Sequence, residues 1–315
     1  MTEFDRFVDI LKAAGEGTRL RLLALLAQGE LSVKDLTDIL GQSQPRVSRH
    51  LKLLSEAGLV IRTAEGSWAY YRIAETGGVA DFVQRLIGEI DEDAPRLVND
   101  RKALARVRQM HRAQADAYFS QIAASWDTIR NLHVPESALE KAIMHAVGKK
   151  KIGRMIDLGT GTGRMLELLS ARYARGTGID SSREMVAIAR AKLAAASISH
   201  AHVQLGDISQ PDREIGPADL VVLHQVLHYF DDPGVVIEQA ARLLNGEGRV
   251  LVVDFGPHEL EFLRKEHAHR RLGLGADQMN SWANGAGLEV SLFEEFPNDN
   301  ANKDLTVCLW VLSRT

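Results

Sequence analysis

Four apolar runs in the second half of the chain end in residues able to hold or work on a ligand. Met155-Ile156-Asp157-Leu158 leads straight into Gly159-Thr160-Gly161-Thr162-Gly163, and a helical pattern follows at once. Glycines at a strand-to-helix turn let the backbone bend sharply and approach a ligand closely. Spacing narrows the choice of ligand. A dinucleotide loop has glycine at the sixth position, which here is Arg164, and a phosphate loop needs Gly-Lys-Ser/Thr, which is absent. NAD is therefore not expected. The next run, Gly176 to Ile179, ends at Asp180, where a carboxylate is placed to accept from two ribose hydroxyls. The third ends at Gly206-Asp207-Ile208, where Asp207 could accept from an adenine amine and Ile208 pack on the ring. Each residue also has a plainer role. Asp180 could cap a helix starting at Ser181, with Ser181 and Glu184 forming a capping box, and Asp207 could be a turn residue.

The fourth run, Leu220 to His224, offers His224 and, four residues on, His228. An imidazole there could take a proton from an acceptor group, or it could simply pack or cap. With no carboxylate or thiol in matching register beside these histidines, or beside His267 and His269, no metal site is expected.

A second constellation lies near the N-terminus. A helix that reads DNA must offer polar or basic side chains from its first turns and bury an apolar face behind them. Ser43, Gln44, Arg46, Ser48, Arg49 and Lys52 supply the first property, and Val47, Leu51 and Leu54 the second. A solvated face on an ordinary amphipathic helix has the same charges. Between Gln42 and Arg72 five basic residues, including Arg62 and Arg72, face only Glu56 and Glu65, although the net charge of the chain is −4. A local basic patch on an acidic chain suits a site-specific binder and not a protein that coats nucleic acid.

The elements that must position these residues are legible in outline. Apolar spacing predicts helices over residues 4–14 and 18–27. Ser32, three residues before Asp35, caps a short helix closed by Gly41, and Ser43 with Pro45 opens the next, which stops at Gly58. Leu59 to Thr63 and Ser67 to Ile73 form a hairpin, completing the order helix, turn, helix, wing. From Val79 to about Val147 the pattern is helical, broken at Pro95 and Pro135. Beyond Arg154, strand and helix signals alternate: a helix to Ala171, one to Ala195, one between His224 and Leu244, and a strand from Val250 to Phe255. Such alternation builds a parallel sheet with helices on both faces. Leu288 to Phe293 and Leu305 to Leu312 follow without a full helix between them and should form an antiparallel edge pair.

Length, with 45% hydrophobic and 25% charged residues, fits two globular domains. The single cysteine, Cys308, allows no intrachain disulfide, and no run is long enough for a membrane helix or patterned as a signal peptide. The expected location is the cytoplasm.

The wording from Gln42 to Leu54, then Glu56-Ala57-Gly58-Leu59-Val60 and a wing ending in Tyr70-Tyr71-Arg72, resembles the ArsR/SmtB family over residues 4 to 75. The resemblance implies operator DNA as partner and a homodimer. It does not carry over a metalloid switch, because Leu31 to Leu36 lacks the paired cysteines of the arsenic-sensing members. Asp157 to Gly163, Asp180 and Asp207 resemble the class I S-adenosylmethionine (SAM) dependent methyltransferases over about residues 115 to 315. That similarity implies SAM or S-adenosylhomocysteine (SAH) as ligand, held by Asp157, Gly159, Thr160, Gly161, Gly163, Asp180, Ser181, Met185, Asp207, Ile208 and His224. Tyr118 and Trp126 stand where members close a lid, or are plain core.

The expected fold is thus a winged helix-turn-helix (α+β) over 1–76, a helical linker and dimerisation segment over 77–114, and a Rossmann-like α/β methyltransferase domain over 115–315. Two functions are open: a transcriptional repressor that senses SAM or SAH, with ArsR fusions of this kind pointing to SAM-cycle genes, or a methyltransferase governed by its DNA-binding domain.

Overall fold

In the computed structural model the described residues are all but 1–2, 66–67, 75–77, 92, 123–135, 213–214, 298–304 and 315. Backbone packing separates Met1–Ala113 from Gln114–Thr315. Trp126 lies outside the described residues, as does the side chain of Tyr118.

The first unit contains α1 (Glu3–Ala14), α2 (Gly17–Leu26), β1 (Leu31–Ser32), α3 (Val33–Leu40), α4 (Gln44–Glu56), β2 (Val60–Glu65), β3 (Trp68–Ile73), α5 (Val79–Gly88) and the start of α6 (Pro95–Ile122). Ser32 Oγ accepts the Asp35 amide at 3.1 Å and donates to Asp35 Oδ2 at 2.6 Å, so α3 begins where its capping signal stands. Gly41 closes it in the left-handed conformation, φ 62°. Ser43 holds the cap position of α4 but makes no side-chain cap bond, contrary to expectation; its carbonyl takes the Arg46 and Val47 amides instead.

The hairpin β2–β3 forms as the sequence implies, and a two-residue strand that the sequence did not signal, β1, pairs with β3 through Leu31 and Tyr71. Leu22, Leu36, Val47, Leu51, Leu54 and Leu59 are fully buried in one core, and Val83 and Leu104 from α5 and α6 join it. Each such leucine contributes about 1.5–3 kcal/mol through burial. Polar bonds also hold α6 to this core: Asp100, buried, takes both arms of Arg21 at 2.6 Å, Arg108 donates to the Gln28 carbonyl at 2.7 Å, and His111 lies 3.5 Å from Asp35. On α1 an apolar stripe stays outside. Phe4, Phe7 and Leu11 on α1 are 75%, 50% and 46% exposed.

The second unit carries α7 (Glu136–Val147), β4 (Ile152–Leu158), α8 (Arg164–Leu168), β5 (Tyr173–Asp180), α9 (Arg183–Ala195), β6 (Ala201–Leu205), β7 (Ala218–His224), a 3-10 turn (Leu227–Tyr229), α10 (Pro233–Arg242), β8 (Leu244–Phe255), α11 (Phe262–Glu266), α12 (Ala276–Gly285), β9 (Leu288–Pro297) and β10 (Thr306–Arg314). The sheet order is β6-β5-β4-β7-β8-β10-β9. Strands β4 to β8 pair in parallel, and β10 pairs antiparallel with β8 on one side and β9 on the other. Alternate residues go to opposite faces, as a strand's two-residue period requires. Met155, Leu220 and Val222 face the core under α7 and α9, while Ile156, Val221 and Leu223 face that under α10 and α12.

Three boundaries differ from expectation. Helix α8 stops at Leu168, because the chain must turn back at once: the Arg172 amide bonds the Leu169 carbonyl and Tyr173 Oη bonds that of Leu166. The helix expected between His224 and Leu244 is split, since Asp232 caps a fresh start at Pro233, a residue that cannot continue a preceding helix. Strand β8 begins at Leu244, not Val250, pairing there with Ala218.

Candidate functional site

The sheet order reverses at β4, which neighbours β5 on one side and β7 on the other. In open α/β sheets the crevice at such a reversal, beyond the carboxyl ends of the strands, is where ligands sit. Gly159, Gly161 and Gly163 all adopt left-handed backbone, at φ 76°, 52° and 84°. A Cβ on Gly159 would stand 2.4 Å from Val226 Cγ2, so this glycine lets the loop after β7 close against the loop after β4. Arg164, at the head of α8, turns to Glu140 of α7, 2.9 Å from its Nε.

The carboxylates are brought together. Asp180 Oδ2 accepts the Gly161 amide at 2.8 Å and Oδ1 accepts the Ser182 amide at 2.9 Å. The expected capping box at Ser181 is therefore displaced by one residue. Ser182 caps α9, receiving the Met185 amide at 3.2 Å and donating to Glu184, while Ser181 is exposed. Asp180 ends β5, and its two oxygens bond the glycine loop and the amide of the capping residue.

Asp157 is buried at the end of β4. Thr160 Oγ1 donates to its Oδ2 at 2.5 Å, and Oδ1 has no hydrogen-bond partner among the described residues. Burial pushes its carboxyl up to about 7, the charge of Asp180 adds to this, and the Thr160 bond opposes it. Asp207 Oδ1 accepts both the amide and the hydroxyl of Ser209, at 2.8 and 2.7 Å, as a turn residue does, at the strand end where an adenine contact was expected. Ile208 and Met185 are buried, Ile208 beside Ile156 and Ile179.

His224 ends β7 and His228 sits in the 3-10 turn beyond, so their four-residue spacing does not place them on one helix. Sequence reasoning missed the partner of His228. Asp254, completely buried at the end of β8, lies 2.6 Å from His228 Nδ1 through Oδ1 and takes the Leu227 amide on Oδ2 at 2.9 Å. The only local signal is a charged residue inside the apolar run Val250 to Phe255. Gln225, at the start of this loop, is held at φ 49°, a conformation a non-glycine residue keeps only where its surroundings compel it.

On α4 of the first unit, Ser43, Gln44, Arg46, Arg49 and Lys52 are exposed and Ser48 is half-buried, over the buried Val47, Leu51 and Leu54. Gln44, Ser48 and Lys52 follow at four-residue spacing, with Arg49 beside them, so one face presents polar and basic groups. Arg62 is exposed on β2 and Arg72 is half-buried on β3. His50, unremarked in the sequence, faces inward 3.5 Å from Glu16, the residue that caps α2. Lys34 lies over the Trp68 ring at 5.8 Å and ties the wing to α3.

Known proteins match both units. Residues 16–62 fit the family described as bacterial regulatory protein, arsR family, and residues 130–292, more than half of the chain, fit the family described as methyltransferase domain. An uncharacterised HTH-type transcriptional regulator of Methanocaldococcus jannaschii is 38% identical over 93 residues, 29% of this chain and 99% of the relative. The arsenical resistance operon repressor of Escherichia coli is 44% identical over 68 residues, 21% of this chain and 58% of that one. Among solved structures, the N-methyltransferase NodS of Bradyrhizobium japonicum, in complex with SAH, has a TM-score of 0.52 at 17% identity, covering 64% of this chain and 98% of that one. Its likeness to the second unit is one of fold. The chain therefore belongs to the ArsR family of bacterial regulatory proteins through its first unit, and through its second to the methyltransferase-domain family of class I fold.

Proposed function

We propose that this ArsR-type regulator binds a palindromic operator as a homodimer and that its methyltransferase domain takes up SAM or SAH as the effector that sets operator affinity. The observation that carries the ligand reading is the glycine loop. It carries three left-handed glycines, of which Gly161 is tied to Asp180, and beside them stands a buried carboxyl oxygen of Asp157 with no partner among the described residues. Such a cradle suits a nucleoside bearing a cationic sulfonium and amine. Asp180 would hold the ribose, Asp207 and Ile208 the adenine, and Gly159, Thr160, Gly161 and Gly163 the chain between, beside Asp157, Ser181, Met185 and His224.

The dimer rests on two arguments. A single recognition helix covers one half-site, and two-fold symmetry supplies the other. The stripe Phe4, Phe7 and Leu11 on α1 is an apolar face that a second copy would cover. Gln44, Arg46, Ser48 and Arg49 would meet base edges, with Ser43, Lys52, Arg62 and Arg72 on the backbone. Operator binding puts the protein in the cytoplasm. A regulator that distinguishes SAM from SAH suits genes of the SAM cycle. Residues 77–114 would serve as linker and dimerisation segment, and the helices between Val79 and Val147 would give the route between ligand and operator.

A ligand shifts operator affinity only through differential affinity for the two states, and the effect is reciprocal. Gel shifts with the operator, titrated with SAM and with SAH, should change affinity by different factors, with coupling of about 1–3 kcal/mol. If neither ligand alters operator affinity while labelled SAM is consumed on an acceptor, the protein is instead an enzyme with a regulatory DNA-binding domain.

A further inference from the structure

Between Lys149 and Arg175 the chain holds seven basic residues against two acidic ones, Asp157 and Glu167. Glu167 lies 3.3 Å from Arg164, and Asp157 is buried near the carboxyl end of β4, so neither offsets the cations at the start of the strands. The fold gathers those cations at the amino end of the sheet. Lys149, Lys150 and Lys151 lie between α7 and β4 and are all exposed. The Ile152 amide donates to the Arg172 carbonyl at 2.8 Å, which sets Lys151 beside Arg172 at the starts of neighbouring strands. In the parallel ladder Arg154 stands opposite Arg175, which is exposed. Neighbouring strands lie about 4.8 Å apart, and like charges directly opposite one another raise the energy of the folded chain.

The helix and strands around them do not need these charges. A lysine after a helix can answer its last carbonyls, but Arg249 Nη2 already donates to the Val147 carbonyl at 2.5 Å, and Gly148 follows α7 in left-handed backbone, φ 74°. Asp219, at the start of β7 next to β4, is engaged elsewhere: Oδ2 accepts the Arg154 amide at 2.8 Å and Oδ1 accepts from Asn245 Nδ2 at 2.5 Å. Arg154 itself donates to the Ile215 and Gly216 carbonyls, both at 3.0 Å. Among the described residues, Lys149, Lys150, Lys151, Arg172 and Arg175 make no ion pair, and Arg172 Nε is buried without a hydrogen-bond partner.

We propose that this amino end of the sheet is a second DNA surface, which takes the phosphate backbone of the duplex flanking the operator. The inference rests on the first unit holding operator DNA. Lysine ammoniums are point charges that meet phosphates without reading bases, and Tyr173, the aromatic residue among them, is buried and offers no ring to a splayed base. The surface therefore suits an intact duplex and is indifferent to its sequence. Gly159 to Gly163 and Asp180 stand at the carboxyl ends of the same two strands, so a flank bound at the amino end leaves the ligand crevice open. Once the first unit is on its site, the tether raises the effective concentration of the neighbouring phosphates, and weak contacts then add to affinity.

The test uses the full chain and a pair of labelled duplexes: a core site of about two helical turns, selected by wild type from a random library, and the same core with about two turns of arbitrary sequence added on each side. Fluorescence anisotropy over a range of salt concentrations reads the affinities. Wild type should bind the long duplex about 10-fold more tightly at low salt, with a salt slope steeper by about 0.9 for each added phosphate contact. Lys149→Gln, Lys150→Gln and Lys151→Gln made together should remove most of that gain and of the extra slope. Core affinity, melting temperature and SAH calorimetry should not change. Arginine at the same three positions should restore the gain, which a role in folding would not require, and Arg175→Gln should lower the slope by about one contact. Equal affinity of wild type for both duplexes, a flank gain that survives the glutamines, or arginines that fail to restore it overturns the surface. Lysine-dependent binding to phosphatidylglycerol vesicles with no flank gain also overturns it, in favour of a membrane contact. If wild type selects no duplex at all, the operator reading fails and this inference with it, whereas a core bound equally with and without flanks removes this inference alone.

Discussion

The Gly161 amide donates to Asp180 Oδ2 at 2.8 Å, a bond between residues 19 apart that joins the glycine loop to the end of the neighbouring strand. The carboxylate proposed to hold the ribose thus also shapes the loop proposed to hold the rest of the ligand. Asp180→Ala should weaken SAH binding by about 1.5–3 kcal/mol, the range for a lost charge-assisted bond, with some further loss from a looser loop. Gly161→Val, which forces a branched side chain into left-handed backbone, should abolish binding. Calorimetry reads both, and unchanged affinity in the pair would reject the cradle.

On the DNA side, Arg49→Ala and Gln44→Ala remove exposed groups from α4 without touching Val47, Leu51 or Leu54. Each should lose about 1–3 kcal/mol of discrimination between operator and random duplex, with melting temperature unchanged. Lys52→Ala, assigned to the backbone, should weaken both duplexes alike and reduce the salt dependence of binding. Footprints identical to wild type for Arg49→Ala and Gln44→Ala would move the reading face elsewhere.

Asp157 gives a pH prediction with a definite sign. Its carboxyl is raised from 3.8 to about 7, so between these values the folded protein holds a proton that the unfolded chain has released. Its contribution to stability is therefore complete below about pH 4 and lost as pH rises through about 7, by roughly a few kcal/mol. Asp157→Asn removes the term. The difference in melting temperature, variant minus wild type, should rise from pH 4 to pH 8 in the ligand-free protein, and a flat difference would mean that Asp157 is not held protonated by burial.

What the sequence determined by itself was set by short-range physics. Ser32 three residues before Asp35, Gly41 after α3, and the buried face Val47, Leu51, Leu54 each act within one or two turns of chain, and all appear where their spacing places them. The glycine loop was equally legible, because a strand ending in closely spaced glycines before a helix has few other shapes. Where competition between neighbours mattered, the local signal slipped: Ser181 looked like the cap, but Asp180 is engaged by a loop 19 residues away and Ser182 takes its place. Tertiary structure alone decided the long-range pairs. Asp254 meets His228 across 26 residues, Arg21 meets Asp100 across 79, and β10 inserts between β8 and β9. A buried carboxylate is satisfied by whichever donor the fold carries to it, and that choice depends on strand order and register, which no local pattern contains.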